Sequence, residues 1–190
     1  MTADEAPETF GLEIPTLRTE RLVLRAPRQD DFEVFAAFYA GPRSHFVGGP
    51  LTRELAWRML AMEAGHWQLR GFGRWIVEER ASGQAVGLVG LFEPEGWPEP
   101  ELGWDLFDGH EGKGFATEAA EAGRAFAYDV LGWTTLISLV KPKNEASARV
   151  ATRLGCRRDG EFVHERHGPM RIFRHPAPDA LADGGMEAYA

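Results

Sequence analysis

The sequence predicts an α/β fold, one mixed sheet with helices packed on its faces, and three observations carry that prediction. Hydrophobic periodicity along the chain switches in the order β-α-α-β-β-β-α-β-α-β. The segment Glu101–Glu118, ELGWDLFDGHEGKGFATE, runs from a mostly apolar strand through a glycine-rich turn into a helix. Thr135–Val140, TLISLV, is a short apolar run suited to a strand covered on both faces.

Taken in order, residues 1–15 read as a loose leader with Pro7 and Pro15 and little periodicity. Thr19–Ala26 reads as a half-buried strand with Leu22, Leu24 and Ala26 on one face, ended by Pro27. Asp30 or Asp31 offers an N-cap for a helix to about Tyr39, whose apolar face is Phe32, Val34, Phe35 and Phe38. Gly41-Pro42 closes it, and Ser44–Pro50 is a loop with exposed aromatics. Thr52 caps a second helix to about Leu69, with Ala56, Met59, Leu60, Met62 and Trp67 turned inward. A hairpin follows, Arg74–Glu79 and Ala85–Phe92, joined at 81–84. The proline-rich link Glu93–Pro100 leads to the strand Glu101–Phe107 and the glycine loop. The next helix, Thr117–Leu131, has a core stripe of Ala119, Ala122, Gly123, Phe126 and Val130, with Gly123 allowing close packing. Beyond Thr135–Val140, Asn144 caps a helix Glu145–Leu154 that Gly155 stops. Glu161–His175 reads as one or two terminal strands, and 176–190 as a loose tail. With no internal repeat, residues 16–175 form one domain.

Composition narrows the function classes. A chain of 190 residues with 44% hydrophobic content suits one domain with a sizeable core. No apolar run is long enough to span a bilayer, and the acidic N-terminus lacks a basic-then-apolar signal. The single cysteine, Cys156, cannot form an internal disulfide, so the cytoplasm is the expected compartment. A net charge of −8 argues against nucleic acid as a partner. A polyanionic ligand would need local cations, and Lys113, Lys141, Lys143, Arg149 and Arg153 flank the glycine loop and the helix after it.

A glycine-rich turn that opens a helix is suited to anions, because the backbone can come close and the first helical N–H groups lack partners. The spacing is neither G-x-x-x-x-G-K-[ST] nor G-x-G-x-x-G. Gly114 and Ala116 instead fit x-x-x-G-x-A with a helix directly after. This resembles the diphosphate-binding loop of the GNAT superfamily of acyl-CoA-dependent N-acetyltransferases, except that Glu111 stands where that family carries Gln or Arg. A second motif, NEASARVATRLG at 144–155, matches the family's N-x-x-S-x-x-V-x-x-x-x-G through Asn144, Ser147, Val150 and Gly155. The resemblance covers roughly residues 16–175 and is closest to the branch of ribosomal-protein-alanine N-acetyltransferases. It implies a mostly antiparallel mixed sheet flanked by helices, with two splayed central strands. It also implies acetyl-CoA as cosubstrate, no metal, and an amine acceptor, either a protein N-terminus or a small molecule. No membrane partner is expected, and a homodimer is open by analogy.

On that resemblance the cofactor contacts are Leu106, Phe107, Glu111, Gly112, Lys113, Gly114, Phe115, Ala116, Thr117, Asn144 and Arg149, with a backbone N–H near Leu106 as oxyanion donor. Glu101 is the candidate base: Trp97 and Trp104 lie near it in sequence, and apolar surroundings raise a carboxyl's pKa. Ser147 is the candidate acid, since no tyrosine lies on the last motif's helix. Phe46, Trp97 and Trp104 are the candidate acceptor contacts. Cys156 reads as a small buried hydrophobe rather than a nucleophile. His164 and His167, three apart on a strand, would face opposite ways and make no metal site, and His110, inside the glycine loop, reads as a solvated histidine with a phosphate contact as the alternative. Two rival readings are a non-catalytic acyl-CoA-binding regulatory domain and a nucleotide-binding protein.

Overall fold

The computed structural model describes residues 13–184. Its strands are β1 Leu17–Arg18, β2 Leu22–Arg25, β3 Arg74–Glu79, β4 Ala85–Phe92, β5 Glu101–Leu106, β6 Ile137–Val140, β7 Arg157–His164 and β8 Gly168–Arg174. Its α-helices are α1 Phe32–Ala40, α2 Arg53–Arg70, α3 Phe115–Ala125, α4 Glu145–Arg153 and α5 Pro178–Gly184. One sheet runs in the order β1-β2-β3-β4-β5-β6-β8-β7, antiparallel everywhere except between β5 and β6. No described helix is long and apolar enough to cross a membrane.

The expected hairpin and the helix opened by Asn144 form where the periodicity puts them. Several boundaries differ for local reasons. Thr19 accepts the N–H of Leu22 on its hydroxyl, so residues 19–21 turn and only Leu22–Arg25 stays in β2. All four of those residues are buried rather than half of them, because Arg25 is neutralised by Asp31 and Glu78. Asp31 spends its carboxylate on Arg25 and on the Arg28 N–H, so α1 has no side-chain cap from it. The loop after α1 winds into a 3₁₀ segment, Pro42–Val47, and Phe46 is half-buried there. Met62 faces solvent while Glu63 and His66 are buried on α2, a pattern set by partners on other elements.

The helix after the glycine loop starts at Phe115, two residues early, and its last turn widens to a π-helix over Phe126–Val130. That wider turn rotates Val130 out to solvent and brings Ala127 and Tyr128 into the core. Gly123 does allow a close approach: a Cβ there would lie 3.2 Å from a methyl of Leu102 on β5. The terminal strands are two, and β7 begins at Arg157. Within the segment read as a loose tail, α5 forms and Leu181 packs on the main core. The leader lies outside the described residues except for its last three, of which Pro15 accepts the indole N–H of the buried Trp75.

Two cores sit on opposite faces of the sheet. One packs α3 and the π turn against Leu22, Trp75, Val89 and Leu102. The other packs α1 and α2 against Ile76, Leu88 and Phe107.

Candidate active site

β5 and β6 meet in a single residue pair, Glu101 with Ile137, and diverge beyond it. Alternation along the antiparallel β4–β5 ladder explains what this opens. Phe107 donates its N–H to Val86, so odd-numbered residues of β5 address β4 and even-numbered ones face β6. Leu102 still meets β6, its carbonyl accepting the Ser138 hydroxyl at 2.7 Å. The N–H groups of Trp104 and Leu106 face the divergence, where no strand answers them.

The gap is floored by Glu101. One carboxylate oxygen accepts the Trp97 indole N–H at 2.6 Å and the other accepts the Leu139 N–H at 3.0 Å. Burial pushes its pKa up, and these two donors and the nearby Arg74 guanidinium only partly offset that. Trp97 belongs to the proline-rich link, so that link carries the residue that holds the carboxylate in place.

Around this point are two connected concavities. A large cleft of about 1020 Å³ runs from Trp104 and Ser147 to the glycine loop, and a small cavity of about 110 Å³ lies on the other side, with Glu101 in its wall. Phe46, Trp104, Asn144 and Ser147 line both. Asn144 caps α4 by accepting the Ser147 N–H at 3.1 Å, and the Ser147 hydroxyl accepts the Trp104 indole N–H at 3.0 Å. Leu106, Glu111, Gly112, Gly114, Ala116, Thr117 and Arg149 also line the large cleft.

Three expected cofactor contacts are placed elsewhere. Phe107 is buried among Phe35 and Phe38 and spends its N–H on Val86, because its odd register turns it to the α1 side. Phe115 is buried in the α3 core beneath Arg21, leaving only its backbone at the helix start. Lys113 is exposed with its ammonium over the Phe115 ring, outside the cleft lining.

The cleft fits a diphosphate on several counts. Gly112 and Gly114 hold φ of +74° and +82°, conformations that L side chains resist, and a Cβ at Gly112 would point into open space. α3 starts directly after Gly114 with unpartnered N–H groups. The Thr117 hydroxyl oxygen, in its first turn, is buried without any hydrogen-bond partner. Buried polar atoms are nearly always paired, so this orphan is suited to a ligand oxygen. The His110 Nδ1 is also buried and unpartnered, so this half-buried ring is solvated only in part.

Three features had no sequence signal, whereas Arg153 was among the cations expected near the loop. Arg21 reaches from the turn before β2 to the Lys113 carbonyl at 2.9 Å and pairs with Glu118 at 2.6 Å, putting a guanidinium beside Gly114. Arg43 bridges Asp108 at 2.6 Å and Glu111 at 2.8 Å. Arg153 joins Arg149 in the cleft wall. Behind β5, Tyr39 donates to Asp105 at 2.7 Å, Arg74 donates to the same oxygen at 3.0 Å, and Arg74 also forks onto Glu63, all fully or nearly buried. Alternation did put Asp105 on the Glu101 side of the strand, but its partners Tyr39 and Arg74 come from α1 and β3.

The His164 and His167 ring centroids lie 4.7 Å apart at a tilt of 45° and both rings pack near Trp97, since His167 sits in the β7–β8 turn rather than on a strand. Among the described residues no group of three metal-ligating side chains converges. Burial pushes the Cys156 thiol up to about 12, which leaves no thiolate for attack.

With this geometry in hand, comparisons with known proteins are informative. The family model described as an acetyltransferase (GNAT) domain matches residues 21–157. An uncharacterized N-acetyltransferase of Bacillus subtilis, YoaA, is 27% identical over 162 residues, 82% of this chain and 92% of that protein. The crystal structure of an acetyltransferase from Agrobacterium tumefaciens is 38% identical, covers 90% of this chain and 99% of its own, and superposes with a TM-score of 0.79. The ribosomal-protein-S5-alanine acetyltransferase of Vibrio fischeri shares the fold at a TM-score of 0.67, with 17% identity and coverage of 88% and 99%.

Proposed function

The chain belongs to the GNAT acetyltransferase family, and from that premise we propose that it moves the acetyl group of acetyl-CoA onto a primary amine, with Glu101 as base. The observation that carries the reading is a buried carboxylate at the point where β5 and β6 part. The transferase domain is taken as residues 16–175, and the acceptor as a protein N-terminus or a small-molecule amine.

Bound acetyl-CoA would supply the thioester carbonyl that an amine attacks and the thiolate that leaves. Gly112, Gly114, Thr117 and the start of α3 would hold its diphosphate, and Asn144, Ser147 and Arg149 would line its course. The unanswered Leu106 N–H would donate to the carbonyl oxygen as negative charge grows there. Glu101 accepts the proton that the attacking amine gives up. Desolvation raises its proton affinity above that of an ordinary carboxylate, which favours transfer near neutral pH. Phe46, Trp97 and Trp104 wall the small cavity and would exclude water from the acceptor amine. Ser147 accepts the Trp104 indole N–H and keeps its own O–H to donate, so it remains the candidate acid, a weak one for a leaving thiolate that is itself fairly stable.

The test is calorimetry with acetyl-CoA, using ATP and NAD as controls, followed by an amine screen that detects free thiol. Selective acetyl-CoA binding and thiol release are expected. Glu101→Gln should lower turnover about 100-fold or more while leaving acetyl-CoA affinity intact. The acid limb of kcat/KM should lie above the usual carboxylate range, because activity requires the ionised form of a group whose pKa is raised. Unchanged turnover in Glu101→Gln would remove the base assignment. Tight binding without turnover on any amine would support the regulatory reading, which Glu111 in the cleft favours.

A further inference from the structure

Glu111 presents a problem for the cleft: it is a carboxylate beside the loop that is proposed to hold a diphosphate. The structure answers with Arg43, one of whose nitrogens lies 2.6 Å from Asp108 and 2.8 Å from Glu111. Arg43 lies in the cleft wall with Gly112, Gly114 and Thr117. Its position is not accidental slack. The neighbouring Ser44 is buried and donates to the Tyr39 and Gly41 carbonyls, which fixes the 3₁₀ segment, and the Arg43 guanidinium lies 5.7 Å from the Phe38 ring centroid.

We propose that Arg43 is a diphosphate-binding cation of this cleft, held at its mouth by Asp108 and Glu111 and exchanged onto the ligand's phosphates. The inference rests on the reading of the cleft as an acetyl-CoA site. Exchange is inexpensive here because Arg43, Asp108 and Glu111 are all more than a third exposed, and ion pairs of that kind contribute little to stability. A phosphate brings two or more acceptor oxygens and a larger charge than one carboxylate, and guanidinium recognises it in a bidentate fork. Glu111 is then neutralised in the free protein and partly released on binding.

Calorimetry of coenzyme A, 3′-dephospho-coenzyme A and pantetheine on wild type, Arg43→Ala and Arg43→Ala/Glu111→Arg separates the outcomes. Wild type failing to bind coenzyme A would remove the acetyl-CoA reading itself. Given wild-type binding, Arg43→Ala should weaken both nucleotide ligands about tenfold or more and leave pantetheine unchanged. Its coenzyme A affinity should also fall less steeply with added salt than that of wild type. The added Glu111→Arg should restore coenzyme A to within about threefold, which a purely structural role for Arg43 would not allow. Equal affinity of wild type and Arg43→Ala would overturn the proposal. So would a loss confined to coenzyme A and absent from the dephospho ligand, because Arg43 would then read the 3′-phosphate.

Discussion

Two arginines meet acids of one short stretch of chain, and their surroundings could hardly differ more. Arg74 meets Asp105 on β5 and Glu63 on α2, with side-chain exposures of 8%, 2% and 0%. Arg43 meets Asp108 and Glu111 in the glycine loop, at 39%, 60% and 44%. The first group is shielded from water on every side and has satisfied its polar atoms internally, with Tyr39 completing it. Burial is the largest influence on the pKa of Tyr39 and Asp105 and pushes both up, while Arg74 draws both down. The second group is wet, and its partners can be traded for a ligand. A buried ion pair builds the wall of a site; an exposed one is available to whatever enters it.

The comparison breaks most sharply at Arg74. Arg74→Met should cost about 3–5 kcal/mol in chemical denaturation, because it strands Glu63 and Asp105 without their cation. A loss below about 1 kcal/mol would mean that the group is not held together as charges.

His175 shows what burial does without any counter-ion. The Ser138 hydroxyl donates to Leu102, so it receives the His175 Nε2–H at 2.9 Å, and Nδ1 is left bare, buried and unpartnered. Burial lowers the ring's pKa to about 3. Between roughly pH 6.5 and that value the unfolded chain takes up a proton that the folded chain refuses, so stability falls as pH falls. The slope from this group is at most about 1.4 kcal/mol per pH unit, and His175→Gln should remove it from denaturation curves taken between these limits.

Tyr39→Phe leaves Arg74 on Asp105 and deletes one hydrogen bond to a charged acceptor, for an expected loss of about 1.5–3 kcal/mol in the same assay. Smallest is Asp108→Ala on the exposed side, at under about 1 kcal/mol. If Asp108→Ala cost as much as Tyr39→Phe, the contrast between the two clusters would collapse.

How much of this was legible in the sequence varies by residue. Glu101 was readable because it starts an apolar strand two residues before a glycine and near Trp97, and the structure places that indole on its carboxylate. Asn144 and Gly155 were readable because capping is local chemistry: the Asn144 side chain accepts the Ser147 N–H, and Gly155 takes φ of +76°. Phe107 was misread because strand alternation is local but the face that a ligand approaches is not. Glu63 and His66 look like solvent residues on α2 until Arg74, the Phe72 carbonyl and the Glu93 N–H arrive from elsewhere. Val130 keeps helical spacing with the core stripe, yet the π turn carries it outward.

The sequence by itself determined the order of elements between β2 and the terminal strands, the glycine conformations of the loop, the cap of α4 and a carboxyl placed for burial, because each depends on backbone geometry within a few residues. Tertiary structure decided where β5 and β6 part, which backbone N–H groups are left without a partner, and which arginine meets which acid. Those outcomes depend on groups separated by tens of residues. Only the folded sheet brings them within hydrogen-bond distance, and only the packing around them determines whether their charges are locked in place or free to exchange.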